Sequence, residues 1–131
     1  MVAAIEASDI ANRDLLHGNP TKLEQLYAHS PDVTVLGGFG GIESGWEEVG
    51  LRLDWAAAQF ESGSYERETL SLVEGSDLAF TVSIERNRVL EVGKPNETVL
   101  NLRVTQIYRR VDEQWRLVHR HADPLVDKQV P

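Results

Sequence analysis

The residues best suited to chemistry lie close together near the C-terminal end of the chain. His119 and His121 are separated by one residue, Asp123 follows at the same spacing, and Arg103 and Thr105 repeat that spacing sixteen residues upstream. In an extended strand, residues two apart share a face, so each set presents its side chains together. Imidazole titrates near neutral pH and can both take and give a proton, so His121 is the candidate acid–base group and Asp123 the carboxylate that orients it. Arg103 is the candidate clamp for a carbonyl or an anion, with Thr105 and His119 beside it and Trp55 as an apolar wall. A plainer assignment stays open for the histidines, that of satisfied structural groups at a subunit interface. Arg103 and Thr105 belong to a mixed row, Val99, Asn101, Arg103, Thr105 and Ile107, which suits either a cavity lining or a face turned to solvent or to a second subunit. His-x-His with Glu85 could also hold a metal ion, but no third ligand is fixed by spacing, so neither a metal nor a cofactor is expected.

The composition excludes several other chemistries. The chain has 131 residues with no cysteine, which removes disulfides, thiolate metal sites and Cys nucleophiles. No Gly-x-Ser-x-Gly elbow is present. Gly37-Gly38-Phe39-Gly40-Gly41 is glycine-rich but lacks the Lys-Ser/Thr and spacing of a phosphate loop, and is read as a bend. Thirteen Lys and Arg against 21 Asp and Glu give a formal charge of -8, opposite to what nucleic acid requires. No apolar run approaches the roughly 20 residues of a bilayer span and no secretory leader is recognised, so a soluble, cytoplasmic protein without nucleic-acid or membrane partners is expected.

The elements that must position these residues are helical first and extended later, the order of an α+β domain occupying residues 1–131. A first helix is expected over about Ala3 to His17, ended by Gly18, and a second, short one after Asn19-Pro20, with Asn19 as its cap. Val33 to Leu36 reads as a brief strand. Ser44 and Glu47 fit a capping box that opens a third helix, whose Trp46, Val49, Leu53, Ala56/Ala57 and Phe60 form one apolar stripe, with Gly63 as its end. From Tyr65 onward the period becomes two, predicting strands at about 65–74, 78–92, 98–111 and 115–122, joined by hairpin-sized connections and therefore antiparallel. In the last strand Trp115, Leu117, His119 and His121 alternate on one face. Because that face begins with two large apolar groups, it is expected to point inward and to carry both histidines with it.

The segment from Arg103 to His121, Arg-x-Thr, Arg-Arg-x-Asp and Trp-x-Leu-Val-His-x-His, resembles the SnoaL-like domains of the nuclear transport factor 2-like superfamily, and the element order agrees with them over nearly the whole chain. The resemblance implies a curved antiparallel sheet wrapped around N-terminal helices into a cone with an internal pocket, and a homodimer formed through the sheet. The superfamily holds ketosteroid isomerases, polyketide cyclases, dehydratases and epoxide hydrolases as well as non-catalytic association modules. A ketosteroid-isomerase-like site would need an Asp at the first strand and a Tyr in the first helix. Val33–Gly38 has no carboxylate and Ala3–His17 no tyrosine. Polyketide cyclases use His and Asp groups of the kind that His121 and Asp123 could supply. The expectation is a protein that holds a small, largely apolar carbonyl or carboxylate compound, either for an isomerase, cyclase or lyase reaction or for binding alone.

Overall fold

Three helices and six strands make up the chain, in a computed structural model that describes residues 1–131. Helix α1 (Val2–Leu15) and helix α2 (Thr21–Leu26) lead into strands β1 (Thr34–Gly37) and β2 (Gly40–Ser44), then helix α3 (Trp46–Ala58) and strands β3 (Phe60–Glu74), β4 (Leu78–Glu91), β5 (Thr98–Val111) and β6 (Gln114–Pro124). The strands form one curved, open sheet in the order β2-β1-β6-β5-β4-β3. The antiparallel expectation holds for the three pairings it covered, β3–β4, β4–β5 and β5–β6; β1 is also antiparallel to β2 but runs parallel to β6. No helix is long and apolar enough to cross a membrane.

Local sequence explains most of the boundaries. Gly18, at φ +84°, takes the left-handed conformation that closes α1, and the Asn19 side chain accepts a hydrogen bond from the Thr21 amide at 3.1 Å, as a cap should. Two expectations at α3 are corrected. Gly45 stands at the cap with φ +87°, so Ser44 is the last residue of β2 instead, and its amide donates to the Glu48 carboxylate at 3.2 Å. The helix also ends at Ala58, and Gly63 lies inside β3, where a methyl group would stand 2.7 Å from the Arg88 carbonyl oxygen. Strand β2, not anticipated, is the second arm of a hairpin whose tip is the glycine-rich stretch read as a bend.

The core lies between the helices and the concave side of the sheet. Val49, Leu53 and Ala57 of α3 are buried as the stripe requires, and Val49 and Leu53 join Leu23, Tyr27, Val33, Val35, Tyr108 and Leu117 in the main cluster. A second, smaller cluster joins Leu16, Phe60, Tyr65 and Val89. In β5 the apolar row Leu102, Val104 and Tyr108 points inward with Gln106. The concave face of β4 is mainly polar: Ala79, Thr81, Ser83, Glu85, Asn87 and Val89 are buried, while Phe80, Val82 and Ile84 lie on the convex side.

Candidate functional site

The expected inward face of β6 is reversed beyond its midpoint, and the cause is a β-bulge. Tyr108 of β5 pairs with Leu117, but its neighbour Ile107 pairs with His119, so Val118 is an extra residue between them. Leu117 and Val118 are consequently buried in succession, and from there Arg120 and Ala122 point to the concave side. His119 and His121 turn to the convex face. The bulge sits where the chain after α2 docks, with the Ala28 amide donating to the Leu117 carbonyl at 2.9 Å and Tyr27 bridging Leu117.

The structure does bring most of the sequence-predicted residues together, but on the outside of the sheet. Thr105 pairs with His121 and Arg103 with Asp123 across β5 and β6. Arg103 grips Asp123 through two hydrogen bonds of 2.8 and 2.9 Å, which lowers the Asp123 carboxyl pKa and leaves its nearer oxygen 4.0 Å from the His121 imidazole. His119 lies 2.8 Å from the Thr34 hydroxyl, and partial burial followed by the neighbouring His121 depresses its pKa. Trp55, on α3, stands apart from all of these. None of Trp55, Arg103, Thr105, His119, His121 or Asp123 lines the interior cavity. His17 and His29 make local contacts at helix ends, to the Arg13 and Glu24 carbonyls.

That cavity, of about 100 Å³, opens between α1, α3, the β1–β2 hairpin and the concave face of the sheet. Its wall is mostly apolar, with Leu15, Leu16, Leu53, Phe60 and Leu102 among its members, and it is interrupted by Tyr27, Asn87, Glu85 and Arg120 at its inner side and by Arg52 nearer the hairpin. Arg120 and Glu85 form a buried bidentate pair at 2.8 and 2.9 Å, their side chains 12% and 3% exposed. The same guanidinium donates to Gln106 at 2.9 Å, and the Gln106 amide donates to the Tyr108 hydroxyl at 2.9 Å. Burial works against the Arg120 charge, but Glu85 outweighs it and holds the guanidinium above its ordinary pKa.

Tyr27 is the exception in this satisfied network. Its hydroxyl is enclosed and has no hydrogen-bond partner, although the Arg120 and Glu85 charges both act on it. Burial pushes its pKa upward, so it stays a neutral O–H donor. An unmet buried hydroxyl costs stability comparable to a lost hydrogen bond, and such groups mark places where a partner is missing.

The sequence contained signals for this site that parity obscured. By alternation Arg120 belongs to the outer face, and the sequence offers Glu85 a role only beside His-x-His as a metal ligand. The row Thr81, Ser83, Glu85 and Asn87 alternates with Phe80, Val82 and Ile84, which separates two faces without saying which is inside. Tyr27, just past α2, follows the apolar Leu23 and Leu26 at helical spacing, and nothing in the sequence sets it apart from them.

Comparison with known proteins agrees with this architecture. The family model described as SnoaL-like domain matches residues 7–127. Among curated proteins no sequence matches. Among solved structures, a candidate dehydratase of the nuclear transport factor 2-like family from Streptomyces avermitilis superposes with a TM-score of 0.79 at 18% identity, covering 96% of each chain. A nuclear transport factor 2-like superfamily protein from Salmonella enterica serovar Typhimurium gives 0.77 at 18% identity, covering 95% of this chain and 94% of that one. A candidate scytalone dehydratase from Novosphingobium aromaticivorans gives 0.71 at 16% identity, over 100% and 94%. At such identities the likeness is one of fold, and fold leaves activity open. Taken with the family match across most of its length, the sheet and helices place this chain in the SnoaL-like domain family, on the nuclear transport factor 2-like fold.

Proposed function

We propose that the protein binds a small, mostly apolar molecule bearing a neutral carbonyl oxygen in the interior cavity, carbonyl end innermost. The unpartnered Tyr27 hydroxyl carries this reading: it is closed off in the structure, and a ligand oxygen that displaces the side chains covering it would accept its hydrogen bond. The apolar wall would hold the remainder by burial. Glu85 and Arg120 neutralise one another, so the inner end offers a carboxylate no net charge, and a ketone is the better fit than the matching acid. A small ring suits this cavity of about 100 Å³ because its mouth is open at the hairpin, whereas a closed cavity of roughly 150 Å³ is what benzene fills. Cyclopentanone titrated into labelled protein and followed by amide NMR tests this. Tyr27→Phe should bind it about 3- to 10-fold more weakly, the worth of one hydrogen bond. Equal affinity in the two chains would remove Tyr27 from the site.

A second reading, proton transfer on the bound carbonyl compound, is favoured by one observation: Glu85 lines the cavity and could accept a proton from the carbon beside the carbonyl, with Tyr27 and Arg120 donating to the oxygen. It is consistent with candidate dehydratases among the structural neighbours. The bidentate grip of Arg120 weakens Glu85 as a base, which is why binding comes first here. Exchange of the cyclopentanone α-hydrogens in deuterated water, lost in Glu85→Gln, would establish catalysis; exchange no faster than in buffer would leave a binder.

We further propose that the convex face joins two copies of the chain, with Phe80, Val82, Ile84 and Ile107 in its apolar centre and His119, His121, Arg103 and Asp123 beside them. Leu70, Val73 and Phe80 remain exposed in the single chain.

A further inference from the structure

We propose that Phe39 is the gate of the cavity and sets the length of the molecule it admits, swinging on the glycines that flank it. This rests on the reading of the cavity as a ligand site. Phe39 is the most exposed of the cavity-lining residues, at 40%, so one side of its ring faces the interior and the other faces solvent. It sits at the tip of the β1–β2 hairpin, between Gly38 and Gly40. Gly40 and Gly41 have φ of +86° and +84°, and a methyl group on Gly38 would stand 2.9 Å from a Leu102 methyl on the cavity wall. The tip therefore lies directly against the wall, and its backbone uses conformations open chiefly to glycine.

The contacts that hold the gate shut come from α3 and β3, and Arg52 of α3 also pairs with Glu43 of β2 at 3.5 Å. The Phe39 ring meets Phe60 of β3 at 5.6 Å and the edge of Trp55 of α3 at 5.4 Å. The Arg52 guanidinium, stacked 3.9 Å from the Trp55 ring, donates to the Gly40 carbonyl through a long hydrogen bond of 3.3 Å. Strand β2 is an edge strand whose one strand partner is β1, and that pairing slips between Val35 and Gly37, next to the tip. Arg52 latches, Trp55 is the stop, and Phe39 moves. A bound molecule no longer than the closed cavity leaves the ring in place; a longer one requires it displaced.

Exchange of two ketones, cyclopentanone and the bulkier 1-indanone, followed by NMR line shape with the Trp55 indole N–H as reporter, tests the proposal. Wild-type protein should bind cyclopentanone and discriminate against 1-indanone. Phe39→Ala should release cyclopentanone about ten-fold faster and bind 1-indanone about ten-fold more tightly, because the door is gone while the Tyr27 end is intact. Phe39→Leu should fall between the two. If cyclopentanone binds both chains with the same release rate and the same preference over 1-indanone, the gate is overturned and the cavity reading stands. If neither ketone binds either chain, the cavity reading falls and the gate with it.

Discussion

At the scale of single residues, one inserted side chain decides the chemistry of the interior. Val118 is the extra residue of the β5–β6 bulge, and it moves Arg120 inward and His121 outward. A His-based acid–base centre thereby becomes a surface cluster, while the cavity receives an ion pair that forms its polar end. Removing one member of a buried pair leaves the other charge unmatched, at a cost of about 3–5 kcal/mol. Arg120→Met should lower the urea midpoint accordingly. The double variant Glu85→Gln with Arg120→Met should recover much of the loss, because no uncompensated charge remains. Equal destabilisation in single and double variants would mean that the guanidinium acts through its contacts to Gln106 and not through Glu85.

At the scale of elements, the packing of α2 on α3 contains a pH-sensitive contact. Glu24 of α2 and Asp54 of α3 bring two carboxyls together, and burial followed by the hydrogen bond and charge of Asp54 pushes Glu24 up to about 7 from its ordinary 4.5. The folded state therefore holds a proton that the unfolded state releases. The contribution is complete below about pH 4.5 and disappears as pH rises through about 7. His119 acts in the opposite direction, since its depressed pKa disfavours the charged form in the folded state. Comparing urea midpoints at about pH 5 and about pH 8 in wild type and Asp54→Asn separates the two: the wild type should lose more stability over that interval than the variant. Parallel loss in both would assign the pH dependence elsewhere. The elements themselves were well marked in the sequence, because Gly18, Asn19 and the apolar stripe of α3 act through neighbours three or four residues away. Strand β2 was not, since Gly40-Gly41-Ile42-Glu43-Ser44 is extended only through pairing with β1.

At the scale of the whole molecule, the sheet has two usable faces, and β4 shows how they are divided. Its concave row is mostly polar and brings Glu85 and Asn87 to the cavity, while its convex row carries Phe80, Val82 and Ile84, the face proposed to meet a second chain. The proposed pairing of two copies predicts a dimer mass by light scattering at micromolar concentration. Ile84→Lys should yield monomers, because the charge would be buried without a partner. A monomer mass for the wild type overturns the pairing.

Local and periodic features were legible from the sequence alone: the end of α1 at the left-handed Gly18, the apolar stripe of α3, strands of period two, hairpin connections and the family resemblance of residues 103–121. Each depends on interactions between near neighbours or on a pattern of side-chain types. The tertiary structure alone decided which face of β6 is inside beyond Leu117, because a single bulged residue inverts every side chain after it. The bulge at Val118 exists where Ala28, ninety residues upstream, hydrogen-bonds the Leu117 carbonyl. For that reason spacing puts Arg103 with Thr105, and His119 with His121 and Asp123, on shared strand faces, yet only long-range packing joins the two sets and puts Arg120, Glu85 and Tyr27 around the cavity.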